Sequence, residues 1–282
     1  MMNTSTTETE CPVAIVTGGS GALGRAIGRE LLGNGYRVVL AARDRGRLQR
    51  TADQLKEFGP VATVSADVTR ADGRDVIVAE SLQAFGRLDL LVNNAGAEHI
   101  GRLEHHELGD VEHMVAMNLV APIELARMVA PIMDRFNGGH IVNISTMAAK
   151  TPMTTMTVYG ATKAGLGHFS KLLRRELAEK NIGVSVVYPG AIEGEGMFAE
   201  MQEATGVQFP KAMPTSDPAW VAKQVMKAVR RDRGEVLAAP GGKVMARHPR
   251  LASVMLRRMG VASAFAEVAD RRAHERQVGA AA

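Results

Sequence analysis

Short, β-branched apolar runs alternate along this chain with longer stretches in which apolar positions recur every three or four residues. The runs are VAIVT (13–17), RVVLAA (37–42), VATVSA (61–66), LDLLVN (88–93), HIVNIS (140–145), VSVVY (184–188) and EVLAA (235–239). Between them lie segments such as ALGRAIGRELLGNG and LGHFSKLLRRELAEKN, spaced as a helix that lays one face on a sheet. The runs are apolar throughout rather than alternating, so each predicted strand is buried on both faces. This pattern predicts a doubly wound α/β fold, a seven-stranded parallel sheet with helices on both sides. No repeat of solenoid period and no low-complexity linker divides residues 12–238, which read as one domain. Residues 1–11 read as a flexible N-terminus. Residues 239–282 read as a helical extension: a turn-rich connector, APGGKVMARHPR, then one or two amphipathic helices. The weakly periodic segment 191–215 reads as a lid, with Thr215 to Asp217 capping the next helix.

Composition narrows the class. With 46% hydrophobic and 23% charged residues the chain is an ordinary globule, neither disordered nor fibrous. The single cysteine, Cys11, excludes a disulfide framework and fits a reducing compartment. The opening MMNTSTTETE has neither the basic nor the apolar run of a signal peptide, and no stretch reaches the ~20 uninterrupted apolar residues of a membrane span. A cytoplasmic protein is the expectation. The net charge of +4 is unevenly spread, since residues from Lys243 onward carry +5 and the body is close to neutral. With only eleven aromatic residues, mostly within apolar patterns, a nucleic-acid surface is not expected. Arg257 and Arg258, beside Met255, Leu256 and Met259, suit a membrane surface, a partner subunit or packing beside the site; packing or subunit contact is the expected use.

Directly after the first predicted strand, residues 17–24 read TGGSGALG and lead into a helical stretch. Gly18 permits a tight turn, Gly21 lets backbone approach a ligand, and Gly24 lets helix and strand pack. The helix start presents free N–H groups and a positive dipole end to a pyrophosphate. The spacing is T-G-x-x-x-A-x-G, and N-N-A-G at 93–96, Y-x-x-x-K at 159–163 and P-G at 189–190 follow in order. With these four motifs the chain resembles the short-chain dehydrogenase/reductase family in its single-domain, NADP(H)-dependent form, over roughly residues 12–238.

The resemblance implies a Rossmann fold in which Gly18, Ser20, Gly21, Leu23 and Gly24 hold the dinucleotide, with Asp67 and Val68 at the adenine. Asn94, Ala95 and Gly96 would lie beneath it, and Pro189, Gly190 and Ile192 beside the nicotinamide. Gly194 stands where relatives often carry a threonine. Ala42 occupies the place of the aspartate of NAD-preferring relatives and Arg43 follows, so a guanidinium there favours NADP(H) over NAD(H).

Tyr159 and Lys163, four apart on a predicted helix, project from one face. A phenol ordinarily titrates near pH ~10, and a neighbouring ammonium lowers that value. The resemblance makes Tyr159 the general acid, and Lys163 its activator and the holder of the nicotinamide ribose. Thr146 stands thirteen residues before Tyr159, at the family's hydroxyl position, and Ser145 is the alternative. Asn118 resembles the asparagine of the family's proton relay.

The implied function is reduction of a small-molecule carbonyl to a secondary alcohol, or the reverse, in a homodimer or homotetramer. The alternative is a non-catalytic dinucleotide-binding sensor or scaffold. The glycine spacing disfavours the epimerases and dehydratases of the longer relatives. His99 falls near the expected substrate mouth, and the EHHE run at 104–107 is read as no metal site, since adjacent helical histidines diverge. Methionines cluster at 147–156 and 197–213, flanking the expected pocket.

Overall fold

A computed structural model of the chain describes residues 11–194 and 196–281. The expected N-terminal tail, 1–11, therefore lies outside the described residues except for Cys11, whose carbonyl accepts a 3.0 Å hydrogen bond from Arg37.

In chain order the elements are β1 (Val13–Thr17), α1 (Ala22–Leu32), β2 (Arg37–Ala42), α2 (Arg45–Leu55), β3 (Val61–Ser65), α3 (Ala71–Phe85) and β4 (Leu90–Asn93). Next, α4 (Leu108–Val115) passes through a widened turn, Ala116–Val120, into α5 (Ala121–Arg135). There follow β5 (Gly139–Ile144), α6 (Thr157–Glu176), β6 (Ile182–Pro189), β7 (Ala191–Ile192), α7 (Met197–Thr205), β8 (Thr215–Ser216), α8 (Pro218–Arg230) and β9 (Glu235–Ala238). The chain continues into α9 (Gly242–Arg247), α10 (Pro249–Arg258) and α11 (Val261–Ala281).

The main sheet has seven parallel strands in the order β3-β2-β1-β4-β5-β6-β9. Strand side chains alternate between faces, and both faces are dry. Val13 and Ile15 turn toward Ile77 of α3 and Leu125, Val129 and Met133 of α5. Ala14 and Val16 turn the other way, toward Ile27 and Leu31 of α1 and Val221 and Val225 of α8. A continuous apolar run is what two helical layers require. The sequence order reverses at β1, which lies between β2 and β4, and a crevice opens beyond the strand ends there.

Helices start where the sequence supplies a cap. Asp44 accepts from the Arg47 N–H at 2.8 Å to begin α2, and Asp217 accepts from the Trp220 N–H at 2.6 Å to begin α8, as expected. The run Leu108–Arg135 is long and apolar enough to cross a membrane. Half of its most apolar stretch is buried, with Met117, Leu125 and Val129 in the core beneath the sheet, as in a core helix.

Two segments differ from their sequence reading. The expected lid is more regular than its periodicity indicates: it contains α7, and its ends are joined by a small parallel pair, Ala191 with Thr215 and Ile192 with Ser216. Edge-on aromatic contacts hold it, Phe198 to Phe209 at 4.9 Å between centroids and Phe209 to Phe265 at 4.6 Å. The connector after β9 is partly helical, as α9. With α10 and α11 it builds a third apolar cluster in which Met245, Leu256, Val261 and Phe265 pack with Met147, Met156, Tyr188 and Met201.

Candidate active site

A cavity of about 350 Å³ lies in the crevice. The glycine turn forms one end, the N-termini of α6 and α7 the middle, and α9, α10 and α11 the far wall.

Glycine is required at two positions of the turn. A Cβ on Gly24 would lie 2.2 Å from the Gly18 carbonyl oxygen, so α1 packs against the turn only without a side chain there. Gly18, at φ +65°, adopts a left-handed conformation, and a Cβ there would lie 3.0 Å from the Ala95 Cα. Gly21 differs: it is extended, and a Cβ there would meet only the Gly18 oxygen, at 3.5 Å. Helix α1 begins at Gly21 without a side-chain cap and without an acidic residue in its first turn, leaving its N–H groups and dipole for an anion. Thr17 ties this turn to the next motif, its hydroxyl oxygen accepting 3.0 Å bonds from the Asn94 and Ala95 N–H groups. Of the dinucleotide set, Gly18, Ser20, Gly21, Leu23, Gly24, Asn94, Ala95, Gly96, Pro189, Gly190 and Ile192 all line the cavity. The cradle fits a dinucleotide pyrophosphate.

Tyr159 and Lys163 also line the cavity, both buried, one turn apart on α6. Both candidate hydroxyls line the cavity, with different partners. Strand β5 ends at Ile144, and Ser145 then turns inward to donate a 2.8 Å bond to the Lys163 carbonyl. Thr146 lies within hydrogen-bonding reach of the Tyr159 phenol. Asn118 sits in the widened turn before α5, where its side chain accepts from the Ala97 N–H at 2.9 Å and donates to the Ala97 carbonyl at 2.8 Å. A buried asparagine in an apolar helix needs such partners. Its Oδ1 and the Lys163 Nζ flank Gly96, lying 3.2 and 3.3 Å from where a Cβ on that glycine would be.

The Lys163 Nζ donates a 2.9 Å bond to the Ile144 carbonyl. Burial pushes the phenol well above its ordinary range, the carboxylate of Glu98 adds to the effect, and Thr146 opposes it. Burial pushes Lys163 down to about 8, against the pull of Glu98. Glu98 itself is pushed up to about 7 by burial, while Arg272 of α11 and Lys163 favour its ionised form.

Sequence reasoning missed Glu98 as a site residue. Its signal was an acid two residues after the N-N-A-G turn, in a stretch otherwise poor in charge. Arg47 was also missed: it lines the cavity from the first turn of α2 and pairs with Glu200 at 3.7 Å. Arg43, Asp67 and Val68 are not among the lining residues. Arg43 is exposed just past β2, Asp67 accepts from the N–H and hydroxyl of Thr69 at 2.9 and 2.7 Å, and Val68 is buried in the core. Gly194 is likewise absent from the wall, and Ile192 lies in β7. His99 does not line the cavity; its Nδ1 is 3.6 Å from Asp110 and its ring meets His106 edge-on at 5.2 Å. Spacing pointed at the adjacent His105 and His106, whereas the fold brings His99, His106 and Asp110 together, with potential ligand atoms within 4.8 Å of one another. Methionines of both clusters line the site, Met147, Met153, Met156, Met197 and Met213, and Met245 of α9 joins them.

A family model described as short chain dehydrogenase matches residues 12–206. The ketoacyl reductase HetN of Nostoc sp. (strain PCC 7120) is 33% identical over 224 residues, 79% of this chain and 77% of that protein. Among solved structures, a single-residue variant of actinorhodin polyketide ketoreductase with NADPH superposes with a TM-score of 0.77 at 26% identity, covering 83% of this chain and 97% of that one. A metagenomic short-chain oxidoreductase in complex with NADP superposes with a TM-score of 0.68 at 32% identity, covering 80% and 96%. The glycine cradle, the buried tyrosine and lysine on one helix, and these likenesses agree: the chain belongs to the short-chain dehydrogenase family.

Proposed function

We propose that this chain reduces a carbonyl to a secondary alcohol, or catalyses the reverse, using NADP(H), with Tyr159 as the proton donor. The observation that carries this reading is the convergence of the Tyr159 phenol, the Thr146 hydroxyl and the Lys163 side chain on one cavity beside the glycine cradle. When bound, the nicotinamide supplies or accepts the hydride. A phenol held protonated by burial and by Glu98 is a donor throughout the neutral range, the state that reduction requires. Thr146 holds the same substrate oxygen, while Ser145, committed to the Lys163 carbonyl, fixes β5 against α6. Lys163 lines the same cavity with its Nζ beside Gly96, the place from which it would hold a ribose hydroxyl, and Asn118 anchors the loop beside it.

The likeness to structures holding NADPH and NADP supports the dinucleotide, and Arg47 at the cavity rim supports a 2′-phosphate partner. Arg43, exposed just past β2 and outside the cavity wall, is a second candidate cation for that phosphate. Opposite the cradle the wall is methionine, Phe198, Leu256, Val261 and Phe265, which suits a substrate with a bulky apolar body.

The test is Tyr159→Phe. Turnover of NADPH against a panel of apolar ketones should fall ~10²-fold or more while NADPH affinity, read by fluorescence titration, is retained. Undiminished turnover removes Tyr159 from the chemistry. If the unaltered chain binds NADPH and turns over no ketone or alcohol, it is a sensor or scaffold instead.

A further inference from the structure

The C-terminal extension has two faces with different occupants. Inward, Met245, Ala252, Leu256 and Val261 complete the apolar cluster beside the cavity. Outward, α9 and α10 expose Val244 (63%), Leu251 (64%), Val254 (36%) and Met255 (43%). Leu251, Val254, Met255 and Arg258 follow one another at three, four and seven positions from the first, a single stripe along α10. Lys243, Arg247, Arg250, Arg257 and Arg258 surround these apolar side chains, and all five are exposed. None of the five forms an ion pair among the described residues. From Gly242 to Ala266 the chain carries no aspartate or glutamate.

We infer that α9 and α10 form a docking surface for an anionic phospholipid bilayer, with Val244, Leu251, Val254 and Met255 entering the headgroup boundary and the five cations pairing with lipid phosphates. Apolar side chains framed by cations, without acids, are what binding in the plane of such an interface requires. A second copy of this chain is the poorer occupant. A two-fold contact would set the same five cations against themselves, with no carboxylate in the segment to pair them. Because Met245 and Leu256 line the cavity from the other side of these helices, docking here places the apolar end of the cavity beside the bilayer. The inference does not depend on the catalytic reading.

Flotation of the full chain with vesicles of 70% phosphatidylcholine and 30% phosphatidylglycerol tests it, with pure phosphatidylcholine vesicles as the control. The chain is expected to float with the anionic vesicles, less at high salt, and hardly at all with the neutral ones. Each lost cation should weaken partitioning about fivefold, so Arg250→Glu with Arg258→Glu should lower it tenfold or more. Leu251→Asp with Met255→Asp should abolish flotation even at low salt. All four side chains are exposed, so melting temperature and NADPH binding should stay unchanged in both variants. Flotation that survives both pairs of substitutions overturns the inference, as does equal binding to neutral vesicles. Light scattering in which either variant drops to a smaller oligomer assigns the face to a subunit contact and also overturns it.

Discussion

Glu98 is the charge that distinguishes this site from a plain tyrosine and lysine pair. Its carboxylate disfavours the ionised phenol of Tyr159 and favours the ionised amine of Lys163, and it is itself held up to about 7. Below that pH it is neutral and exerts little field; above it the phenol is harder to deprotonate. If the phenol must lose its proton in the oxidation direction, kcat/KM rises with pH through its titration, so Glu98→Gln should move that rising limb to lower pH. A limb that does not move removes Glu98 from the titration. The two arginines form a second prediction at this scale. Arg47→Ala should weaken NADPH binding and leave NADH binding unchanged, since only the former carries a 2′-phosphate. Arg43→Ala should do the same to a smaller degree, because Arg43 is exposed and outside the cavity wall. Equal losses for both cofactors on removing Arg47 would contradict its assignment.

At the scale of elements, two glycines at the start of α1 separate folding from binding. Gly24→Ala places a methyl group 2.2 Å from the Gly18 oxygen, a backbone contact that only movement of the helix can relieve. Overpacking of this kind costs about 1–3 kcal/mol, so the melting temperature should fall by several degrees along with dinucleotide affinity. Gly21→Ala adds its methyl group in ordinary contact, so the melting temperature should hold while affinity falls. Calorimetry beside a fluorescence titration distinguishes them. The seven strands and the glycine turn were legible in the sequence because double burial and special backbone geometry each leave a local mark. The count pointed to Thr146; the different bonding of Thr146 and Ser145 left no mark in the sequence, because it depends on where β5 ends and on what α6 offers to bond. The β7 and β8 pair left no mark, since two residues carry no period and their pairing is tertiary. Arg272 was illegible for the same reason: α11 brings it to Glu98 from far along the chain.

For the whole molecule, the extension is part of the core rather than an addition to it. Met245, Leu256, Val261, Phe265 and Val268 are buried in the third cluster, and their removal would expose Met147, Met156 and Tyr188. At about 2 kcal/mol for each buried apolar side chain, the loss approaches 10 kcal/mol as an upper estimate. This is comparable with the total stability of an ordinary domain. A chain ending at Ala239 should keep its parallel sheet by circular dichroism yet melt much lower and bind a hydrophobic dye. A truncated chain melting like the full one would show that the cluster contributes little.

The small β7 and β8 ladder has a further consequence for this architecture. By bringing Ala191 and Thr215 side by side, it makes the stretch between them a cassette whose two ends are already joined. Exchanging that stretch need not disturb β6 or α8, provided the replacement keeps a side chain against Phe265 of α11. Transplanting the corresponding stretch from another member of the family, grafted between Ile192 and Thr215, is therefore a direct way to reshape this wall of the cavity while Tyr159, Lys163 and Thr146 stay untouched.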